Sequence, residues 1–315
     1  MVVGCGATAT GRMNFFLRSE GQVRAWWRVA FFVLATTVGG FFASGVAYNV
    51  IAFTPLVDWA RQYSVPLPEY GQLLALAIGT YAAVRIVDGV RDGIWSRVGL
   101  GIEGLHPRLL LIGLAAGTLA ILIPCAALIA SGRMVFERQP AEVMSWWTAT
   151  RSALFIFVPA AFAEELAMRG YLLTTLIDGV GRPFAVAITS VLFALLHLLN
   201  PDPTFISTGM VALAGLFLAT VRLTTGSLWA AGIAHLAWNL VQAVVLHAPV
   251  SGLPLPTPGY RLVDHGPVWL TGGLWGPEGG LAAAMGMLVA TFLLVRFAKP
   301  YHFTPHGKPA SVLET

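Results

Sequence analysis

The chain has 315 residues, of which 57% are hydrophobic and 11% are charged, and its formal net charge is +4. Ordinary soluble domains hold about a quarter charged residues, so this composition excludes a typical soluble protein. It also excludes a disordered chain, which would be poor in hydrophobic residues, and its two cysteines cannot staple a secreted domain. The sequence therefore predicts an all-α, polytopic membrane protein.

Eight apolar stretches approach the roughly 20 residues that a spanning helix needs. In chain order they are 29–53, 70–87, 109–130, 152–177, 183–199, 205–221, 227–246 and 280–297. The predicted organisation is a tail at 1–28, N-terminal helices at 29–151, a core at 152–246, an external loop at 247–279 and a last helix with its tail at 280–315. Six prolines break up the loop, so we expect irregular structure that rests on the membrane surface.

The Arg and Lys residues are unevenly distributed between the two sides that eight spans define. Thirteen fall on one side and five on the other, while Arg169 lies within a span. Because positively charged loops stay on the cytoplasmic side, we predict a multi-pass protein of the plasma membrane with both termini in the cytoplasm. The basic residues are expected to face anionic lipid headgroups of the bilayer, and we expect no nucleic acid as a partner.

The fourth stretch holds two carboxylates and a guanidinium, Glu164, Glu165 and Arg169, in otherwise apolar sequence. Each such charge costs roughly 2.5–3.5 kcal/mol at the centre of a membrane helix, so something must offset that cost. Glu165 and Arg169 are four residues apart and can pair on one helix face. Glu164 is turned about 100° away and is free to point elsewhere. Pro159 is expected to kink the helix just before it.

Two further stretches carry polar residues at helical spacing. Phe193 and His197 lie four apart in the fifth, and His235 and Asn239 lie four apart in the seventh. At about 1.5 Å rise per residue, Glu164, His197 and Asn239 lie roughly 18–21 Å from the cytoplasmic end of their spans, and His235 roughly 12 Å. These depths are compatible with one polar layer near the middle of the bilayer. Such a layer requires a cavity.

The chemistry that this cluster can perform is hydrolysis. A carboxylate beside a histidine can take a proton from water, and a second histidine with a carboxamide can donate hydrogen bonds to a developing oxyanion. Two imidazoles and a carboxylate also resemble a zinc site. Asn is a poor zinc ligand, so we favour no cofactor and keep zinc as the alternative.

Together the motifs Glu164-Glu165-x-x-x-Arg169, Phe193-x-x-x-His197 and His235-x-x-x-Asn239 resemble those of the CAAX protease and bacteriocin-processing (CPBP) family of intramembrane endopeptidases. The resemblance implies an all-helical fold with its site in a cavity within the membrane. It makes Glu164 the base that activates water with help from His197, and makes His235 and Asn239 the oxyanion-stabilising pair. Glu165, Arg169 and Phe193 then support the site. The implied substrate is a membrane-associated peptide or protein, either a prenylated CAAX protein or a peptide precursor.

Two other classes remain open at this point. Acids and histidines near the bilayer midplane also form ion relays, which would make the chain a proton-coupled transporter. Transporters usually show paired halves, and the sequence holds no second copy of the Glu164-Glu165 span. The third class is a catalytically idle scaffold that keeps the pocket for binding a partner.

Overall fold

The computed structural model describes residues 16–17, 22–52, 54, 58, 60, 65–138, 145–255 and 259–297. Of the predicted N-terminal tail at 1–28, residues 1–15 and 18–21 lie outside the described residues, as does the C-terminal tail after residue 297. Each of the eight predicted spans is helical. The helices that fill them are α1 Ala25–Ala52, α2 Leu67–Ala82, α4 Pro107–Ala130, α5 Trp146–Glu165 with α6 Leu173–Val180, α7 Arg182–Leu196, α8 Phe205–Thr225, α9 Leu228–Leu240 and α11 Ala282–Phe297.

Shorter elements complete the described part of the chain. They are the helices α3 Ile94–Arg97 and α10 Val268–Thr271, π-helical turns at Ala83–Val87, Leu166–Leu172 and Val241–Val245, and 3-10 turns at Ile102–Leu105, His197–Leu199, Gly273–Trp275 and Pro277–Gly279. By length and composition, six helices in the described residues can cross a membrane. The charged fourth segment and the 16-residue α11 fall outside that set. The predicted all-α membrane fold is confirmed, whereas the count of eight spans stays a prediction.

Successive helices run in alternating directions between two ends of the bundle. At the loop end, Asn200 after α7 donates from Nδ2 to the carbonyl of Ser251 at 3.0 Å, and the loop after α4 pairs with 260–264. At the opposite end, which we call the arginine end, Arg28 of α1 contacts Asp88 after α2 and Asp178 of α6. This alternation is the one that eight consecutive spans require.

A small sheet at the loop end was not expected from the sequence. Strand β1, Met134–Arg138, pairs in antiparallel register with β2, Tyr260–Asp264, so that Phe136 faces Leu262. The prediction that 247–279 is irregular is therefore wrong in part, because this range also holds α10 and two 3-10 turns. Its strand pairs with a segment more than a hundred residues earlier, and that contact leaves no local pattern to detect.

Helix α9 packs in the middle of the bundle, against α4, α5 and α8. Two glycines of α4 make the closest of these contacts possible. A Cβ at Gly113 would overlap the carbonyl oxygen of Ala230, and a Cβ at Gly117 would overlap that of Ala234. Small residues let membrane helices bring their backbones together in this way. Close packing fixes the position of α9, which carries His235 and Asn239.

The long helical segment at 146–180 is broken at a position that the sequence does not mark. Helix α5 continues through Pro159 to Glu165, and the break lies at Gly170, whose φ and ψ of −81° and −114° are not helical. The expected kink at Pro159 stays a prediction, because a kinked helix can keep its helical assignment through a proline. The break at Gly170 falls after the two glutamates, inside the π-helical turn that follows them.

The arginine end is held by a network around Asp88. Arg28 Nε and Arg97 Nε lie 2.7 and 3.0 Å from the two carboxylate oxygens of Asp88, and Tyr171 donates its hydroxyl at 3.0 Å. Asp178 contacts the same two arginines at 3.1 and 3.3 Å. The network joins α1, the end of α2, α3 and the segment around α6.

Candidate active site

Both glutamates stand at the last turn of α5, immediately before the π-helical turn Leu166–Leu172. Turns of this kind are rare and often occur at functional sites, because the extra residue changes which side chains face a neighbouring helix. Glu165 is fully buried, whereas the Glu164 side chain is 34% exposed. Adjacent carboxylates therefore occupy different environments.

Glu165 joins two helices through one oxygen. Its Oε1 accepts from Arg169 Nη1 at 2.9 Å, as the spacing predicts, and lies 3.1 Å from His235 Nδ1 on α9. Arg169 also donates from Nη2 to the Gly215 carbonyl on α8 at 3.0 Å, and its guanidinium carbon lies 4.3 Å from the Phe193 ring centroid. Glu165 and Arg169 thus link the α5 segment to α7, α8 and α9.

His197 is oriented by its own helix. Its Nδ1 lies 2.8 Å from the Phe193 carbonyl oxygen, and since a carbonyl only accepts, Nδ1 carries the proton. The Phe193 ring packs against the imidazole with the ring centroids 4.5 Å apart, which suits the four-residue spacing of the two side chains. These two contacts fix the ring and direct Nε2 away from its own helix.

The two imidazoles converge on Glu164. Its Oε2 lies 3.9 Å from His197 Nε2 and 3.8 Å from His235 Nε2. Within the described residues this oxygen is buried and accepts no hydrogen bond. Side chains from three helical segments are therefore arranged around one free carboxylate oxygen, and the depth of this group in the bilayer stays a prediction.

A pocket opens beside these groups between α7, α8, α9 and the loop end. Its polar lining consists of His197, His235, Asn239, Ser251 and Glu278. Its apolar lining comes from two aromatic side chains and one face of α8, namely Phe193, Trp238, Met210, Val211, Ala214, Phe217 and Leu218. The Asn239 carboxamide makes no hydrogen bond to any described residue and is available to a bound molecule.

Two pocket residues, Ser251 and Glu278, were missed by the sequence reasoning. Both lie in the range 247–279 that the sequence predicts to be irregular, and neither belongs to a helical spacing pattern. Asn200, which follows the 3-10 turn at His197–Leu199, contacts Ser251. For these two residues, the one local signal in the sequence is a glutamate between Pro277 and Gly279 in an otherwise apolar chain.

The fold and the pocket define a class: a helical, multi-pass membrane protein with a carboxylate, two imidazoles and a carboxamide beside an apolar pocket. Residues 146–241 match the family model described as type II CAAX prenyl endopeptidase Rce1-like, so this segment is similar to CAAX-type intramembrane proteases. The match confirms the resemblance to the CPBP family. A comparison with curated proteins gives no match. All the site residues that the sequence predicts fall inside the matched segment, while Ser251 and Glu278 lie beyond it.

Proposed function

We propose that this chain hydrolyses a peptide bond of a membrane-associated substrate with a water molecule that Glu164 activates. The observation that supports this most directly is the approach of two imidazole nitrogens to Glu164 Oε2 at 3.8 and 3.9 Å. A water about 2.8 Å from both Oε2 and a nitrogen fits between groups at this separation. The proposal rests on geometry that neighbouring helices hold in place.

The tautomer of His197 supports its role as a partner of Glu164. Because Nδ1 donates to the Phe193 carbonyl, a neutral His197 presents the lone pair of Nε2 towards the carboxylate. A water molecule between Glu164 and His197 therefore meets two hydrogen-bond acceptors, one for each of its protons. Glu164 takes one proton as the water oxygen bonds to the carbonyl carbon, and that proton then passes to the leaving amine as the C–N bond breaks.

His235 and Asn239 are proposed to stabilise the oxyanion that forms in this step. His235 Nδ1 donates to Glu165, so only a doubly protonated ring can donate from Nε2 as well. An imidazolium there would sit between the carboxylates of Glu164 and Glu165. Asn239 adds its carboxamide N–H, and both side chains line the pocket where a substrate carbonyl would lie.

A zinc ion is the alternative, since His197, His235 and Glu164 are ligand types that zinc accepts and Glu165 would orient His235 from behind. Ligand atoms of a tetrahedral zinc lie about 3.3 Å apart, so each nitrogen would have to approach Glu164 by about half an ångström. In the described part of the chain, no group of three or more His, Cys, Asp or Glu side chains is spaced for a metal. We favour the metal-free mechanism for these reasons and for the poor ligand quality of Asn239.

The substrate that we propose is a membrane-anchored peptide, either prenylated at a CAAX terminus or a peptide precursor. We propose that the arginine end faces the cytoplasm, with both termini on that side of the plasma membrane. The apolar lining from α8 beside the polar groups suits a substrate that is itself partly apolar.

The test compares protein N- and C-termini in membranes from cells that express the native chain, Glu164→Gln or Glu137→Gln. Glu137 is a matched control because it is an exposed glutamate of β1, away from the site. We expect uncut precursors in the Glu164→Gln membranes alone, and loss of a C-terminal tripeptide in the others would identify CAAX-type processing. Identical termini in all three would overturn the proposal, and proton flux through native-chain liposomes would then favour the transporter class.

A chelator separates the two mechanisms once cleavage is established. We expect the purified native chain to keep its activity in a strong zinc chelator. Complete inhibition that added zinc reverses would replace the glutamate-activated mechanism with the metal-dependent one.

A further inference from the structure

Glu278 is a buried carboxylate at the loop end of the active-site pocket, outside the segment that matches the family. Its Oε1 accepts from the backbone N–H and the hydroxyl of Ser251 at 2.6 and 2.7 Å. Its Oε2 accepts from Trp238 Nε1 at 2.5 Å. Ser251 in turn accepts at its carbonyl from Asn200, three residues after His197. We call these four residues, Asn200, Trp238, Ser251 and Glu278, the Glu278 cluster.

All three groups that donate to the Glu278 carboxylate are neutral, namely the Trp238 indole and the backbone N–H and hydroxyl of Ser251. A buried carboxylate is costly unless hydrogen bonds satisfy it, and these three bonds do so. A glutamine of the same shape would place its NH₂ group against either Trp238 or Ser251. The site therefore requires a carboxylate rather than any polar side chain.

Ser251 has a φ of +49°, in the left-handed region that non-glycine residues seldom adopt. Such a conformation costs free energy and persists where the surroundings hold it in place. Here both donors of Ser251 bond to the same oxygen of Glu278. The carboxylate therefore fixes the conformation of the loop where it lines the pocket.

Helix α9 is consequently held by two carboxylates, one on each of two neighbouring turns. Glu165 accepts from His235, and one turn later Glu278 accepts from Trp238, which directly precedes Asn239. Two such anchors on adjacent turns fix the rotation of the helix about its axis. That rotation determines where His235 Nε2 and the Asn239 carboxamide point.

We propose that Glu278 is a positioning residue of the active site, which sets the orientation of Asn239 and His235 through Trp238 and closes the loop end of the pocket through Ser251. The inference rests on the proposed peptidase function. It assigns a role in that reaction to the range 247–279, which lies outside the three motifs that the sequence analysis identifies.

The experiment measures kcat and KM for Glu278→Gln and for the control Glu137→Gln, which removes a charge from the exposed sheet at the same end. We expect Glu278→Gln to lower kcat about 10- to 100-fold, because misplaced catalytic groups cost rates of this order, with KM changed less than about threefold. Glu137→Gln should match the native chain. Unchanged kcat in Glu278→Gln, or a rise in KM alone, would overturn the positioning role.

A second variant makes the test independent of folding defects. Trp238→Phe removes the indole N–H that would face the NH₂ group of a glutamine at position 278. When Trp238 is already Phe, Glu278→Gln should therefore lower kcat less than about threefold. If the two effects instead multiply in the double variant, Glu278 does not act through Trp238. If Glu278→Gln unfolds in detergent, Ser251→Ala, which removes one donor of three, should still lower kcat, and native kcat there would overturn the proposal.

Failure of the inference and failure of the proposed function give different results. If the native chain cleaves no peptide, the function itself is wrong and the comparison of variants does not arise. If the native chain cleaves and Glu278→Gln cleaves equally well, the function stands and the positioning role is rejected.

Discussion

Glu165 Oε1 lies 3.1 Å from His235 Nδ1 while the same oxygen accepts from Arg169 at 2.9 Å. One buried carboxylate oxygen thus neutralises a guanidinium and orients an imidazole that also reaches Glu164. The sequence predicts only the first of these contacts, because the second joins residues 70 positions apart. The arrangement separates the two adjacent glutamates into one that supports the site and one that faces the pocket groups.

This separation predicts that the same substitution changes stability at one of the two neighbouring positions and leaves it unchanged at the other. Glu165→Gln leaves Arg169 buried without its charge partner, which should cost about 3–5 kcal/mol of unfolding free energy. Glu164 is partly exposed, and among the described residues it forms ion pairs only with the histidines His197 and His235. The melting temperature of Glu164→Gln should therefore stay near that of the native chain. Thermal unfolding in detergent micelles measures both. Equal melting temperatures for the two variants would contradict the division of roles.

The contact between α4 and α9 predicts the effect of a single methyl group. Gly117→Ala would press a Cβ against the Ala234 carbonyl oxygen, beside His235, and should cost about 1–3 kcal/mol as the helices separate. Gly209→Ala is the matched control, since nothing lies within 4 Å of a Cβ there and alanine favours a helix by about 0.5–1 kcal/mol. Unfolding temperatures should therefore move in opposite directions. A Gly117→Ala variant as stable as the native chain would show that α9 is not held by this contact.

Stability at the loop end should depend on pH through His247. Its side chain is 2% exposed and packs between Trp146 and Tyr260, with ring centroids 4.8 and 4.5 Å away. Burial lowers the pKa of His247, so the unfolded chain takes up a proton near pH 6.5 before the folded chain does. Unfolding should therefore become easier as the pH falls below about 6.5.

The measurement for this prediction is the difference in melting temperature between pH 7.5 and pH 5.5. His247→Phe keeps an aromatic ring between the same neighbours and cannot be protonated, so the difference should shrink. If the melting temperature of the His247→Phe variant depended on pH as strongly as that of the native chain, another group would be responsible for the dependence.

The Asp88 network predicts a graded loss of stability at the arginine end. Asp88 is 5% exposed and receives three donors, so Asp88→Asn should cost about 2 kcal/mol or more. Asp178 is 31% exposed and shares the same arginines, so Asp178→Asn should cost less. Chemical unfolding of the two variants gives the order, and a larger effect at Asp178 would contradict the central place of Asp88.

The eight helical segments and the convergence of Glu164, His197 and His235 were predictable, since apolar length and intramembrane charge are local signals. Glu278, Ser251 and Asp88 were not, because each is defined by partners from distant segments. The break at Gly170 shows a related limit, because the sequence marks Pro159 as a site of bending and does not mark Gly170. Roles for the seven predicted site residues stay predictions until variants are measured.

The pairing of Arg28 with Asp178 has a consequence for how the chain is made. The two residues are 150 positions apart, and ribosomes add about 5–20 residues per second, so Asp178 is synthesised about 8–30 s after Arg28. During that interval α1 resides in the membrane without the last member of its network. Insertion of this helix must therefore depend on its apolar surface, and its final docking on the completion of a segment synthesised much later.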